Sequence, residues 1–295
     1  MPRDAETAIG VDVGGTNIRA ARIGPDGRIR AHLAEPVRRD RAGLPGQLLR
    51  LIAGCRAADS VAVGIGIPGR VDAGAQQVVS AGYLDIAGLD IPALIRRETG
   101  LPARIGNDAA MALMAECRNH PAGLIAMITI GTGIGGAITM DGQPWYGGGL
   151  AGQFGHIVVA AEGPVCKCGR VGCVETFSSG TALARLIAGA GLPPGLRAAE
   201  LLRRAAAGDG QAAAILTQWA APLRRALQSL IAIAQPRLVI IGGGLGAEMA
   251  QALARIGGDA ESWFPLDIAP ARLGGDAGVI GAGLCALAMR QEGAE

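Results

Sequence analysis

One pattern occurs twice in this chain: an apolar strand, a turn of glycine and threonine, and a second apolar strand. The copies are "IGVDVGGTNIRAA" within residues 7–24 and "MITIGTGIGGAIT" within residues 124–142. Each copy predicts a β-hairpin with glycine and threonine at its tip. The repetition favours a duplicated α/β unit with one hairpin in each domain. The alternative is a pair of unrelated hairpins in a chain that is rich in alanine and glycine.

Strand and helix patterns alternate along the rest of the chain. Residues 61–69 and 237–246 read as buried strands that run into glycines, and residues 108–118 and 276–291 read as helices. The alanine- and leucine-rich stretch 178–235 predicts about three helices. This alternation predicts an α/β fold.

Length and charge exclude several classes of protein. A chain of 295 residues favours two domains, and a net charge of +2 gives no electrostatic case for nucleic acid or a membrane surface. No stretch of the sequence reaches 18 uninterrupted apolar residues, so we predict no transmembrane helix. The polar start "MPRDAETAIGVDV" lacks the apolar core of a signal peptide, so we expect a cytoplasmic protein.

Three of the six cysteines lie within eight positions of the segment "GPVCKCGRVGCVE", residues 163–175. In a reducing compartment, clustered cysteines are metal ligands more often than disulfide partners. Cys166, Cys168 and Cys173, together with His156 upstream, would complete a closed tetrahedral zinc site of the structural kind. The alternative is a set of free buried cysteines with an unrelated histidine.

The glycine-threonine turns suggest phosphate binding, because consecutive backbone N–H groups without a Cβ form an anion site. Asp12, two residues before the first turn, is a candidate magnesium ligand or else a satisfied polar residue. The chain has a single lysine, Lys167, and no G-x-x-x-x-G-K-[ST] motif, which excludes a P-loop enzyme. The segment 131–136 fits G-x-G-x-x-G but leads into a strand, so it does not predict dinucleotide binding.

Six segments occur in a characteristic order: "VDVGGTNIRAA", "GIGIPGRVD", "GNDAAMALMAE", "IGTGIGGAI", "GLAGQFGHIVV" and "CKCGRVGCVET". Together they resemble the ROK family of bacterial sugar kinases and repressors, over about residues 8 to 290. The resemblance implies the two-domain actin-like ATPase (hexokinase/ribonuclease H-like) fold with an interdomain cleft. We expect a small domain, 1–118 plus 281–295, with the first phosphate hairpin. Residues 119–280 would form a larger domain with the second hairpin, the zinc loop and the adenosine segment.

The resemblance also implies a role for particular residues. Asp108 corresponds to the catalytic base, although a helix-capping role is the alternative for it. The expected sugar-binding residues are Gly69, Arg70, Asn107, Asp108, Gln153, His156 and Glu175. The expected nucleotide-binding residues are Asp12, Gly14, Gly15, Thr16, Asn17, Gly131, Thr132, Gly133, Gly242, Gly243 and Gly244. For Glu175 and Arg70, the alternatives are a solvated loop acid and a surface arginine.

The chain departs from the family pattern at Gln153, where a glutamate usually precedes the glycine-histidine pair. Glutamine keeps an acceptor oxygen but loses the charge, so the preferred sugar stays open. Gly82 stands near the place of a sugar-binding asparagine in glucose-type members. We predict an ATP-dependent hexokinase of the glucokinase type that phosphorylates the 6-hydroxyl. The alternative is a kinase for N-acetylmannosamine or another amino sugar. Some N-acetylmannosamine kinases also lack glutamate at the position of Gln153, and the segment "GDGQAAA" resembles those kinases.

A third hypothesis belongs to another class, a sugar-responsive repressor. Family repressors carry a helix-turn-helix domain before the first phosphate strand, which here starts near residue 8, and the near-neutral charge also disfavours DNA. We therefore expect a sugar and ATP with magnesium as ligands, and zinc in a structural site. We expect no nucleic acid and no membrane as partners, and a homodimer as the oligomeric state. The sequence does not fix the phosphoryl donor, for which polyphosphate is the alternative to ATP. His32 and His120 are expected at the surface.

Overall fold

The structure is a computed structural model that describes residues 6–72, 74–81, 84–118, 120, 122–257 and 267–292. The chain divides into two compact units. Unit 1 contains Met1–Pro121, Gly142–Ala151 and Gly275–Glu295, and unit 2 contains Ala122–Asp141 and Gly152–Gly274. Residues 142–151, which the sequence placed in the larger domain, group with unit 1, and so do residues 275–280.

Unit 1 is built on a mixed five-stranded sheet. Its strands are β1 (Thr7–Val13), β2 (Asn17–Ile23), β3 (Ile29–Pro36), β4 (Ser60–Ile67) and β7 (Ala103–Asn107). They lie in the order β3-β2-β1-β4-β7, with β1 antiparallel to β2 and parallel to β4. A separate two-stranded hairpin joins β5 (Arg70–Asp72) to β6 (Gln77–Ser80). The first glycine hairpin is therefore the β1-β2 turn at the centre of the sheet.

In the described part of the chain, the helices of unit 1 are α1 (Gly43–Cys55), α2 (Ile91–Thr99), α3 (Asp108–Glu116) and α9 (Ala277–Glu292). The Asp90 side chain caps α2, which ends at Gly100 in the left-handed conformation. Helix α9 lies close against the sheet because Gly10 and Gly64 have no side chain. A Cβ on either would run into a carbonyl oxygen of α9.

Unit 2 repeats the same strand pattern. Its strands β8 (Leu124–Ile130), β9 (Ile134–Met140), β11 (Leu238–Gly242) and β12 (Ile268–Pro270) lie in the order β9-β8-β11-β12. Strand β8 is antiparallel to β9 and parallel to β11, as β1 is to β2 and β4. The short strand β10 (Gln143–Pro144) falls in a segment of unit 1. The predicted α/β class, with one glycine hairpin in each unit, is confirmed.

The helices of unit 2 lie mostly between β9 and β12 in the sequence. They are α4 (Glu175–Ser178), α5 (Gly180–Gly189), α6 (Ala198–Ala206), α7 (Gly210–Ala234) and α8 (Gly246–Arg255). The three helices predicted within 178–235 correspond to α5, α6 and α7. Trp219 of α7 is fully buried and donates its indole N–H to the Ser179 carbonyl, 3.0 Å away. Among the described residues, no helix combines the length and apolar character needed to cross a membrane.

Candidate functional site

The first glycine turn, residues 14–16, projects from the β1-β2 hairpin. The Gly14 N–H donates to the Asn17 carbonyl at 3.0 Å and closes the turn. Gly15 and Thr16 are exposed at the tip. The Arg39 guanidinium donates to the Gly15 carbonyl at 2.7 Å, so the tip is held from a segment that follows β3. The predicted phosphate residues of unit 1 thus form one exposed, braced turn.

Asp12 lies on β1, in register with Arg19 on β2. The Arg19 Nη1 and Asp12 Oδ2 atoms are 3.5 Å apart. Burial and, to a smaller extent, the negative charge of Asp108 raise the pKa of Asp12, whereas Arg19 lowers it, and the net result is a pKa of about 7. Gly278, at the start of α9, packs so closely that a Cβ there would lie 2.6 Å from the Asp12 carboxyl carbon. A bound cation would favour the charged form of such a carboxyl group.

Asp108 is the first residue of α3 and directly follows β7. The Asn107 Oδ1 atom accepts the Ala110 N–H at 3.1 Å, so Asn107 provides the N-cap rather than Asp108. The Asp108 Oδ1 atom accepts the Ala109 N–H at 2.9 Å. Burial raises the pKa of Asp108, against smaller opposing effects of hydrogen bonds from Ala109, Asp108 and Asn107. A carboxyl group with a raised pKa at a helix start is suited to general-base chemistry.

Gly69 and Asn107 meet at the ends of the neighbouring strands β4 and β7. The Asn107 Nδ2 atom donates to the Gly69 carbonyl at 2.9 Å. Gly69 adopts φ +95°, and a Cβ there would collide with the Ser80 carbonyl oxygen. Arg70 is exposed on β5. Unit 1 thus brings four of the predicted sugar residues to one edge, whereas Gly82 lies outside the described residues.

The second glycine turn, residues 131–133, joins β8 to β9 in unit 2. The Gly131 N–H donates to the Gly133 carbonyl at 3.0 Å. The glycine run 242–244 lies beside this turn: a Cβ on Gly243 would be 2.5 Å from the carbonyl oxygen of Ile130, the residue before the turn. The predicted second phosphate turn and the predicted adenosine segment are therefore neighbours within unit 2.

Four side chains of unit 2 form a candidate metal centre. One ligand atom from each of His156, Cys166, Cys168 and Cys173 lies within 4.8 Å of all the others. The Cys166 Sγ to His156 Nδ1 distance is 3.5 Å, and the Cys168 Sγ to Cys173 Sγ distance is 3.6 Å. Sulfur ligands of a tetrahedral zinc ion are about 3.8 Å apart, given Zn–S bonds of about 2.3 Å. The donor set and its spacing fit zinc.

The backbone around this centre explains its glycines. Gly172 has φ +83°, and a Cβ there would collide with the Ala160 carbonyl oxygen.

Burial raises the pKa of Cys173 to about 12, whereas a backbone hydrogen bond at Arg170 is the main cause that lowers the pKa of Cys168 to about 7. A buried thiol of this kind ionises only when a cation compensates its charge, as a metal ligand requires.

Glu175, the first residue of α4, contacts the second glycine turn. Its Oε2 atom accepts the Ile134 N–H at 2.8 Å. Gln153 is exposed and precedes the short 3₁₀ turn Phe154–His156, and its carbonyl accepts the His156 N–H at 3.1 Å. The sequence predicted a sugar contact for Glu175 but gave no sign of its bond to the hairpin.

Sequence reasoning missed three residues at these turns: Arg19, Arg39 and Gly278. A signal was present for Arg19, because a hairpin register that pairs Val13 with Ile18 across the four residues 14–17 places position 19 opposite Asp12. For Arg39 and Gly278 the contacts arise from tertiary packing, and no local pattern indicates them.

Comparison with known proteins gives consistent relationships over nearly the whole chain. The ROK family matches residues 8–289. An N-acetylmannosamine kinase of Escherichia coli O127:H6 is 33% identical over 289 residues, covering 95% of this chain and 98% of the relative. One from Shigella flexneri is also 33% identical, with the same coverage, over 288 residues.

Solved structures agree with this relationship. A ROK family glucokinase from Streptomyces griseus, in complex with glucose and AMPPNP, superposes with a TM-score of 0.79 at 30% identity, covering 97% of this chain and 99% of that one. A ROK hexokinase from Thermus thermophilus gives 0.77 at 28% identity with the same coverage. These matches confirm the predicted actin-like ATPase fold. The match of the family model over residues 8–289 shows that the chain belongs to the ROK family.

Proposed function

We propose that this chain is an ATP-dependent sugar kinase in which Asp108 accepts the proton of the attacking sugar hydroxyl. The observation that carries the proposal is the placement of Asp108 at the start of α3. Its pKa there is raised, and the capping role falls to Asn107. A general base needs a pKa near the working pH, and a buried aspartate approaches that condition better than an exposed one.

For the acceptor, we propose N-acetylmannosamine, phosphorylated at the 6-hydroxyl. Support comes from relatives named as N-acetylmannosamine kinases that match 98% of their own length, and from Gln153 in place of the usual glutamate. Glucose is the second candidate, because the Streptomyces griseus glucokinase is 30% identical over nearly the full chain.

Phosphoryl transfer depends mainly on positioning and on neutralising charge. The two glycine turns, 14–16 and 131–133, would offer backbone N–H groups to the phosphates of the nucleotide. Asp12 would hold magnesium, which supplies charge neutralisation at the phosphates when bound. Gly242, Gly243 and Gly244 would let the backbone approach the adenosine, and Asn107 and Gly69 would orient the sugar beside Asp108.

The metal centre would act structurally in this reaction. His156, Cys166, Cys168 and Cys173 would occupy all four positions of a tetrahedral ion, which would leave no position for a substrate. Their task is to fix the loop from which Gln153, His156 and Glu175 would reach the sugar. The homodimer expected from the family resemblance stays a prediction, which light scattering on the purified chain would check.

A sugar panel tests the proposed function. The purified protein would be assayed with ATP and magnesium against N-acetylmannosamine, N-acetylglucosamine, mannose, glucose and fructose, and again with polyphosphate in place of ATP. We expect the highest kcat/KM with N-acetylmannosamine and ATP. Background turnover with every sugar would reject the kinase proposal, and a clear preference for glucose would reject the proposed acceptor alone.

The Gln153→Glu variant tests how specificity is set. Restoring the usual carboxylate should raise the kcat/KM ratio of glucose to N-acetylmannosamine by about 10-fold, the effect of one charge-assisted hydrogen bond. Gln143→Glu, which adds the same charge in β10, serves as the control. An unchanged ratio in Gln153→Glu would remove Gln153 from the specificity argument.

A further inference from the structure

The segment that follows the last candidate metal ligand leads directly to the second glycine turn, residues 131–133. Cys173 is the last ligand, Val174 is fully buried, and Glu175 begins α4. The Val174 N–H donates to the Ile157 carbonyl at 2.9 Å, one residue after the ligand His156. Only one residue therefore separates the metal centre from the Glu175 carboxylate, and that residue is fixed in the core.

The Glu175 carboxylate holds the outgoing strand of the hairpin. Its Oε2 atom accepts the Ile134 N–H at 2.8 Å, and Ile134 is the first residue of β9. The carboxylate lies so close to the turn that a Cβ on Gly133 would be 2.5 Å from Oε2. Glycine at 133 is thus needed for this approach as well as for the turn itself.

The start of α5 holds the incoming side of the same turn. The Gly180 N–H donates to the Gly131 carbonyl at 2.7 Å, and the Thr181 hydroxyl donates to the Thr132 carbonyl at 2.8 Å. Residues 175–181 therefore bond to the turn at 131, 132 and 134. The buried indole of Trp219 anchors this segment to α7 through the Ser179 carbonyl.

These contacts form one continuous path from the candidate metal centre to the turn proposed to bind nucleotide phosphates. Val174 is buried, Glu175 is half-buried, and the bond between Thr181 and Thr132 is exposed. We infer that Glu175 is a positioning residue for the second glycine turn, and that metal occupancy tunes nucleotide affinity through it. The inference rests on the proposed function, since it assumes that this turn binds nucleotide. It differs from a sugar contact of Glu175, which would alter sugar affinity alone.

Calorimetric titration with AMPPNP tests the inference on the metal-loaded full chain. Glu175→Ala should weaken AMPPNP binding about 10-fold, because it removes a charge-assisted hydrogen bond to the turn. Glu175→Gln keeps an acceptor oxygen but loses the charge, so it should recover part of the loss. Glu162→Ala removes an exposed acid of the same loop and is the matched control. Unchanged AMPPNP affinity in Glu175→Ala, with sugar affinity lowered, would overturn the inference.

A second pair of variants avoids the metal loop altogether. Thr181→Val removes only the hydroxyl bond to Thr132 and should weaken AMPPNP binding about 3-fold, with the KM for sugar unchanged. Thr217→Val is the matched control, because Thr217 is an exposed helical threonine whose hydroxyl bonds within α7. Equal effects of the two substitutions would count against the inference.

The route through Glu175 is tested by combining substitution with metal removal. In the wild-type protein, extraction of the metal should weaken AMPPNP binding, and added zinc should restore it. In Glu175→Ala, extraction should cause little further loss, because two changes on one path are not additive. Fully additive losses would overturn the route. A metal-loaded wild-type protein that binds no AMPPNP would instead reject the proposed function, and this inference with it.

Discussion

At the scale of single residues, Asp12 and Asp108 are two carboxyl groups of unit 1 whose pKa values are raised chiefly by burial. The charge of Asp108 also raises the pKa of Asp12, so the two groups compete for the charged state. A magnesium-bound phosphate would relieve this competition by favouring both carboxylates. In the ligand-free chain at alkaline pH, the buried negative charges therefore lower the stability of the folded protein.

Asp12→Asn should stabilise the ligand-free protein at pH 8. The folded-state pKa is raised from 3.8 to about 7, so this group contributes stability below pH 4 that is lost as pH rises towards 7. The free energy of unfolding of the variant should not show this decrease with pH. At pH 8 it should exceed the wild-type value by at most about 4 kcal/mol. Urea titrations from pH 5 to 8 measure it. Asp59→Asn, which breaks the surface pair with Arg22, is the control, and a wild-type slope in Asp12→Asn would contradict the argument.

The pH dependence of turnover reports on Asp108. As a base it acts only when deprotonated, so kcat/KM should fall about tenfold per pH unit on the acid side. The midpoint of this fall should lie above the ordinary aspartate value of 3.8, because burial raises the pKa of Asp108. Rates measured from pH 4 to 8 with saturating magnesium test this. A rate that stays constant down to pH 4 would contradict it.

At the scale of elements, the two glycine hairpins could be predicted because each depends on a local pattern. Short apolar strands and a glycine-rich turn suffice to indicate a hairpin. The groups that hold the turns could not be predicted in this way. Arg39 reaches Gly15 across 24 positions, and Glu175 reaches Ile134 across 41. Such contacts depend on how the helices and loops pack.

The division of the chain was harder to predict for the same reason. Residues 142–151 follow β9 in the sequence, yet they group with unit 1. The small β5-β6 hairpin was also absent from the sequence interpretation. Its turn contains Gly74, but the residue in the left-handed conformation is not this glycine. Its turn instead uses Gln76 at φ +54°. Unusual backbone conformations of this kind are set by context rather than by residue type.

Asn107 should contribute more to stability than an ordinary helix cap. Asn107→Ala loses both the cap of α3 and the bond to the Gly69 carbonyl, for an expected cost of about 2 kcal/mol. Asp90→Ala loses only the equivalent cap of α2 and should cost about 1 kcal/mol. Chemical denaturation of both variants gives the comparison. A smaller loss for Asn107→Ala than for Asp90→Ala would show that the second bond contributes nothing.

At the scale of the whole molecule, the four residues of the candidate metal centre all belong to unit 2. A chain of 295 residues can bury a large core, so it does not need a metal simply to fold. Loss of the metal should therefore loosen one part of unit 2 and leave the rest folded. On this expectation the chain would differ from small domains that unfold without zinc.

Metal analysis and thermal unfolding together test that expectation. We expect one zinc per chain and a fall in Tm of about 5 °C when it is extracted, with most of the circular dichroism signal retained. Cys173→Ser should reproduce both effects. Cys55→Ala removes a buried cysteine of unit 1 and should lower Tm without changing the zinc content. Protein purified without chelator and found free of zinc would contradict the assignment.

The central claim is that Asp108 is the base in sugar phosphorylation, and the most direct measurement is the turnover of Asp108→Asn. The substitution preserves shape but removes the proton acceptor, so kcat should fall about 10²- to 10⁴-fold. Binding of AMPPNP should stay near the wild-type value, and the Tm should not fall, because the substitution removes a buried carboxyl group whose pKa is raised. A kcat within a few-fold of wild type, in a folded variant that binds AMPPNP, would contradict the account.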